Sequence, residues 1–165
     1  MARSYLEEAE QDVAREKITQ EDREKFEEFL FEMDDVLEEF IEEASQAGYD
    51  LDYSLESLDR LEEYWLAVSP RVEDPVRLMN RMARYYGEVF RLNFGGKWRL
   101  SDRNPRHMYY GYPVIYGFIE KNPEFEFCPL FQFQVFAAKQ TRGLLRSVLD
   151  VVYPPSLRPH NPPQN

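Results

Sequence analysis

The chain has 165 residues, of which 43% are hydrophobic and 15% aromatic, a composition that excludes a disordered chain and predicts one folded domain. Its single cysteine, Cys128, excludes an intramolecular disulfide and a cysteine zinc cluster, and favours a reducing compartment. The sequence shows neither a signal peptide nor a run of roughly 18 apolar residues. We therefore expect a cytoplasmic protein with no membrane partner.

Charge is distributed unevenly along the chain. Residues 1–64 hold 23 Asp and Glu against 6 Lys and Arg, whereas residues 65–165 hold 8 against 14. The first part therefore carries −17 and the second +6, which together give the net charge of −11. Either the two parts pack against each other and neutralise, or the acidic surface faces a basic partner. Nucleic-acid binding is disfavoured, because phosphates would meet a net negative field.

The pattern predicts an α+β fold that is predominantly helical and begins with acidic helices. A thin apolar stripe over residues 2–17 predicts a weakly held helix within residues 1–18. From Thr19 or Gln20 to about Ala47, apolar residues recur at three- and four-residue steps and predict one long N-terminal acidic helix. At a rise of 1.5 Å per residue this helix is about 40 Å long, and we expect it to be the spine of the domain.

Two central helices are predicted from their start signals. Ser54 is a good N-cap for a helix that extends to residue 68. Asp74 followed by Pro75 predicts a helix over residues 74–94, since proline at the first helical position loses no hydrogen bond. A glycine pair then allows the chain to turn into the sheet.

The third quarter of the chain predicts a small antiparallel sheet of two to four short strands. The first is expected at Lys97–Leu100, and one or two irregular strands within residues 108–118. Residues 125–128 are a further candidate strand.

C-terminal helices complete the predicted domain. After Pro129 the apolar spacing fits both a strand and a helix, and the adjacent alanines favour the helix. A last helix is expected over residues 141–153. The single domain therefore spans residues 1–153, and residues 154–165 are expected to form a Pro-rich, mobile tail.

Two charged surfaces are candidates for binding. The partner-binding candidates on the long acidic helix are Glu32, Asp35, Glu39 and Glu42. The central helix over residues 74–94 carries an arginine stripe, formed by Arg77, Arg81, Arg84 and Arg91. This stripe could bind a phosphate-bearing ligand, or it could dock on the acidic helix within one chain or in a dimer. The second interpretation is favoured, because the compensating acidic face is present in the same chain.

A second group of side chains is a candidate ligand cleft. Its members are Glu88, His107, Tyr109, Tyr110, Tyr112 and Arg84. The group contains an acid, a base and hydroxyls, which acid–base chemistry requires. Clustered tyrosines in a strand-rich segment are, however, more often packing residues. The two histidines lack Glu-x-x-His spacing and the Gly-Gly-Lys segment lacks phosphate-loop order, so we expect no metal and no cofactor.

The segment Tyr86-Gly87-Glu88-Val89-Phe90, followed by Gly95-Gly96-Lys97-Trp98, resembles small uncharacterised bacterial α+β proteins with a Gly-Glu-Val helix end, a glycine pair and a tryptophan on a strand. The resemblance covers roughly residues 50–153 and implies the order of elements, without an established activity. Physically, Gly87 would let a neighbouring element approach the helix closely, and Trp98 would pack the sheet against it.

The preferred functional interpretation is a non-catalytic intracellular binding protein that engages a macromolecule, most simply a basic protein, through its acidic face or the aromatic segment 109–116. Inhibitors and immunity proteins are analogies for such a role. The alternative is a small-ligand sensor or an enzyme that uses the Glu88, His107 and tyrosine cleft. A third interpretation is a homo-oligomer joined through the acidic and basic helix faces.

Overall fold

A computed structural model describes residues 15–159. Within these residues it has six α-helices and one two-stranded antiparallel sheet, which confirms the predominantly helical α+β fold. The helices are α1 (Gln20–Phe31), α2 (Met33–Gln46), α3 (Ser57–Val68), α4 (Pro75–Phe94), α5 (Pro129–Lys139) and α6 (Leu144–Val152), and the strands are β1 (Lys97–Leu100) and β2 (Pro113–Tyr116). No helix among residues 15–159 is long and apolar enough to cross a membrane.

The N-terminal segment differs from its prediction. Most of the weakly held helix expected within residues 1–18 falls on residues 1–14, which lie outside the described residues, and residues 15–19 are not helical. Thr19 caps α1, because its hydroxyl accepts a hydrogen bond from the Asp22 N–H while the Asp22 carboxylate accepts one from the Thr19 N–H.

The long helix predicted from residue 19 or 20 to about 47 is divided at Glu32 into α1 and α2. The backbone at Glu32 stays near the helical region, with φ −85° and ψ −2°, so the interruption is local. Arg84 of α4 donates a hydrogen bond of 2.7 Å to the carbonyl of Phe29. In an uninterrupted helix that carbonyl would accept from the N–H of Met33, and a side chain that takes its place interrupts the ladder.

Of the two central helices, α4 begins where its cap predicts and α3 begins two residues later than predicted. Ser54 is not the N-cap of α3, which is Glu56, but its Oγ accepts a hydrogen bond from the N–H of Ser57, the first residue of that helix. The Asp74 carboxylate accepts one of 3.0 Å from the N–H of Arg77 at the start of α4. The long helix α4 ends before Gly95, whose φ of 90° favours glycine.

Within the described residues the sheet has two strands, the lower limit of the predicted two to four. Lys97 pairs with Tyr116 and Leu100 with Pro113 in antiparallel register. Phe127, in the candidate strand of residues 125–128, forms only a single bridge, with Ile115. The next segment is the helix α5, as expected.

The core surrounds α4, whose inner side contacts α2 and α5. It is rich in aromatic side chains that are fully buried: Phe40, Tyr85, Tyr86, Phe90, Phe127, Phe133 and Phe136. Two hydroxyls in this core are bonded rather than orphaned. Tyr85 is paired with Ser57 Oγ at 2.7 Å, and Tyr86 donates to the carbonyl of Leu145 at 2.6 Å.

The start of the C-terminal segment packs instead of leaving the domain. Pro155–Leu157 form a 3-10 turn. The guanidinium of Arg158 lies 4.4 Å from the ring centre of Phe94 and its Nε donates a hydrogen bond of 2.9 Å to the carbonyl of Tyr153. The prediction of a mobile tail from Pro154 therefore misses these contacts, and residues 160–165 lie outside the described residues.

Candidate functional site

An open groove of about 570 Å³ runs along α2 and the loop that follows it. We call it the acidic groove, because four of its lining side chains are the carboxylates of Asp34, Glu38, Glu42 and Asp50. The first three are spaced by four residues, so they lie on one face of α2. Tyr53 adds an aromatic side chain to the lining.

The acidic groove has no compensating cation among its lining residues. Within the described chain, none of its four carboxylates has a Lys or Arg nitrogen within 4.0 Å. The nearby Arg60 pairs with Asp52 at 3.3 Å, and Arg91 pairs with Glu88 at 2.8 Å. Arg60 also donates a hydrogen bond to the backbone carbonyl of Asp50, and the charge of Asp34 acts on Arg91. The groove therefore has cations near its edge but none in its lining, and it presents a net negative field to solvent.

Tyr53 is held in an unusual conformation at the edge of this groove. Its φ of 64° lies in the left-handed region, which is uncommon for a residue with a bulky side chain. The Tyr53 N–H donates to the Tyr85 hydroxyl at 2.9 Å, and its carbonyl accepts from Asn93 Nδ2 at 2.9 Å. Burial, followed by the charge of Glu88, raises the pKa of Tyr53 to about 12. The phenol therefore stays neutral at physiological pH.

A second groove of about 460 Å³ lies between α2 and the start of α4, and we call it the mixed groove. Its charged lining residues are Glu32, Glu39, Asp74, Arg77, Arg81 and Arg84. Arg81 also pairs with Glu43 at 2.8 Å. Three members of the arginine stripe therefore lie against the acidic helices within one chain, whereas Arg91 pairs with Glu88 on its own helix.

The predicted partner-binding residues are divided between these grooves. Glu42 lines the acidic groove, whereas Glu32 and Glu39 line the mixed groove. Asp35 is exposed and lines neither. The sequence analysis missed Asp34, although its spacing from Glu42 could have placed both on one face of the helix.

The residues of the predicted ligand cleft do not come together. Glu88 is only 6% exposed. Its Oε1 accepts hydrogen bonds from Arg91 Nε at 2.8 Å and Trp98 Nε1 at 2.7 Å, and its Oε2 accepts one from Arg91 Nη2 at 2.9 Å. Glu88 thus joins α4 to β1, a packing role that the sequence analysis did not assign to it.

The histidine and the tyrosines of that predicted cleft lie elsewhere. His107 and Tyr109 line a separate groove of about 430 Å³ that does not include Glu88. Arg15 donates a hydrogen bond of 3.1 Å to the carbonyl of Tyr110 and lies 5.6 Å from the ring centre of Tyr112. These two tyrosines therefore contact the segment before α1. The single cleft expected from the sequence is not formed.

The buried carboxylate of Glu62 was also missed. Glu62 is 1% exposed and accepts hydrogen bonds from the N–H of Gly143 at 2.7 Å and from that of Leu145 at 3.2 Å. It lies in α3 and satisfies the first turn of α6, so its role is structural. Among residues 15–159, no group of three or more His, Cys, Asp and Glu could hold a metal ion.

Comparison with protein-family models, with curated proteins and with solved structures finds no match to this chain. Function is therefore inferred from the chemistry of the grooves alone.

Proposed function

We propose that the protein is a non-catalytic intracellular binding protein whose acidic groove engages a basic protein. The observation that supports this role is the row of Asp34, Glu38 and Glu42 on one face of α2, joined by Asp50 and left without an ion pair in the described chain. A partner that supplies Lys or Arg side chains would neutralise this row. An inhibitor or an immunity protein is one kind of protein that acts in this way.

The charges of the lining residues favour the acidic groove over the mixed groove as the site of a basic partner. In the mixed groove Arg77, Arg81 and Arg84 share the lining with Glu32 and Glu39, although within the described residues none of them forms an ion pair with those two carboxylates. A basic partner would meet these like charges there, whereas no cation lines the acidic groove. Of the four partner-binding residues predicted from the sequence, only Glu42 belongs to the proposed interface.

The test is affinity capture from the lysate of the protein's own cells with two matched double variants. Glu38→Lys with Glu42→Lys reverses two charges in the groove. The control, Glu24→Lys with Glu28→Lys, reverses two exposed charges with the same spacing on α1. We expect the wild type and the control to retain one stoichiometric basic protein at low salt, and the groove variant to lose it. Equal retention by both variants, or equal loss, would contradict the proposal.

A further inference from the structure

A third groove, of about 300 Å³, lies where α1, α4, the sheet and the first turn of α5 meet. We call it the apolar groove, after its lining by Phe29, Ala83, Trp98, Pro113, Pro129 and Leu130. Its volume is at the lower end of the range of small-molecule sites, about 300 to 1,000 Å³. Aromatic and proline rings present flat, rigid walls, which lose little conformational entropy when a ligand binds.

The tryptophan wall of this groove is held in place from three sides. The indole of Trp98 lies directly on α4 because Gly87 has no side chain there. Its Nε1 donates a hydrogen bond of 2.7 Å to Glu88, and Phe29 contacts it edge to face with ring centres 5.2 Å apart. The ring is therefore preorganised before any ligand arrives.

Two cations line the apolar groove, and no carboxylate does. Arg84 stacks on Phe29 at 4.1 Å from the ring centre and donates through Nη1 to the Phe29 carbonyl. Within residues 15–159 its other nitrogens have no hydrogen-bond acceptor. Lys25 is 69% exposed and pairs only at 3.4 Å with Glu21, an exposed contact of little energy. Glu32 influences Arg84 from the mixed groove but does not line this one.

We propose that the apolar groove binds a small organic acid, with an aromatic or branched aliphatic body against Trp98 and a carboxylate received by Arg84 and Lys25. A neutral ligand would place no anion beside Arg84 and Lys25, and a polyphosphate would make no contact with the apolar walls. The apolar groove shares no lining residue with the acidic groove, so this inference is independent of the proposed protein partner.

The test compares three probes with the same phenylalkyl body: 4-phenylbutyrate, the neutral 4-phenylbutyramide and the cationic 4-phenylbutylamine. Each is titrated into the ¹⁵N-labelled protein while the indole N–H signal of Trp98 is followed by NMR. The variant Trp65→Phe assigns that signal, because Trp65 is the only tryptophan besides Trp98. We expect a saturable shift with the carboxylate, about tenfold weaker binding of the amide, and the weakest binding of the amine.

Two variants with the same charge change locate the carboxylate. Lys25→Glu should weaken binding of 4-phenylbutyrate about threefold, since it reverses an exposed cation of the groove. Lys121→Glu, at an exposed site that does not line the groove, should leave the affinity unchanged. Three results would overturn the proposal: no saturable Trp98 shift at millimolar probe, equal affinity for the three probes, or equal losses in the two variants.

Discussion

Gly87 is the residue whose missing side chain sets the distance between α4 and the sheet. A Cβ at this position would lie 2.3 Å from Cη2 of Trp98 and 2.9 Å from Cγ of Pro129. Separations this short do not occur between real atoms, so the indole would have to move. Because the indole N–H also bonds Glu88, its movement would weaken that hydrogen bond as well.

The variant Gly87→Ala should therefore lower the free energy of unfolding by about 1–3 kcal/mol, the range expected for overpacking. Urea denaturation of the variant and the wild type measures this change. In a Trp98→Phe background the shorter ring removes the clashing atoms, so the same alanine should cost less. Additive effects of the two substitutions would contradict the contact.

Cys128 illustrates how burial controls the reactivity of a single side chain. The thiol is fully buried, and burial raises its pKa to about 12. Since the thiolate is the reactive species, we expect almost no reaction of the native protein with a disulfide reagent at pH 8. Addition of urea should restore the rate of an unfolded cysteine. A native protein that reacts as fast as the unfolded chain would contradict this prediction.

At the scale of elements, α6 depends on a carboxylate from another helix. Its N-cap is Gly143, with no side chain to accept from the first N–H groups, and Glu62 accepts from two of them. Glu62→Ala should therefore cost about 1–3 kcal/mol of stability, because the buried N–H of Leu145 and the partly buried N–H of Gly143 lose their acceptor. Hydrogen exchange should show the loss of protection first in residues 144–152. Unchanged protection there would exclude the capping role.

The same carboxylate gives the stability a pH dependence of defined sign. Burial raises the pKa of Glu62, against the opposing effect of its hydrogen bonds with Gly143 and Leu145. Between the ordinary pKa of the unfolded chain and this raised value, the unfolded state has released a proton that the folded state keeps. The contribution of Glu62 to stability is therefore largest at low pH, falls as the pH rises through this window, and is constant above it.

The variant Glu62→Gln does not titrate and tests this dependence directly. As the pH rises above the ordinary pKa of a glutamate, about 4.3, and through the raised pKa of Glu62, the wild type should lose stability relative to Glu62→Gln. Urea denaturation of both proteins across this range measures the difference. Parallel stability profiles would show that the pKa of Glu62 is the same in the folded and unfolded states.

Helix boundaries that depend on neighbouring residues were predictable from the sequence, and those that depend on distant contacts were not. Asp74 and Pro75 begin α4 through local capping, so the pattern placed this start correctly. The interruption at Glu32 involves Arg84, whose hydrogen bond to Phe29 spans 55 residues of sequence. No local pattern contains that information.

At the scale of the whole molecule, the charge of the candidate site was predictable from composition, but the residues that form it depend on distant contacts. The excess of acidic residues before residue 65 was evident from composition. Which groove stays free of cations depends on where α4 places its arginines, and three of them line the groove of Glu32 and Glu39 rather than that of Asp34 and Glu38. The sequence therefore predicted the charge of the surface but assigned it partly to the wrong residues.

The charge of the whole molecule leads to a kinetic prediction for the proposed partner. Charges outside an interface mainly change the association rate constant, whereas charges within it mainly change the dissociation rate constant. Glu24→Lys with Glu28→Lys should thus slow association, and Glu38→Lys with Glu42→Lys should speed dissociation. Biolayer interferometry with the captured partner separates the two rate constants.

Association should also slow as salt shortens the Debye length from about 30 Å at 0.01 M to about 10 Å at 0.1 M. An association rate constant that does not change with salt would exclude electrostatic steering by the acidic surface.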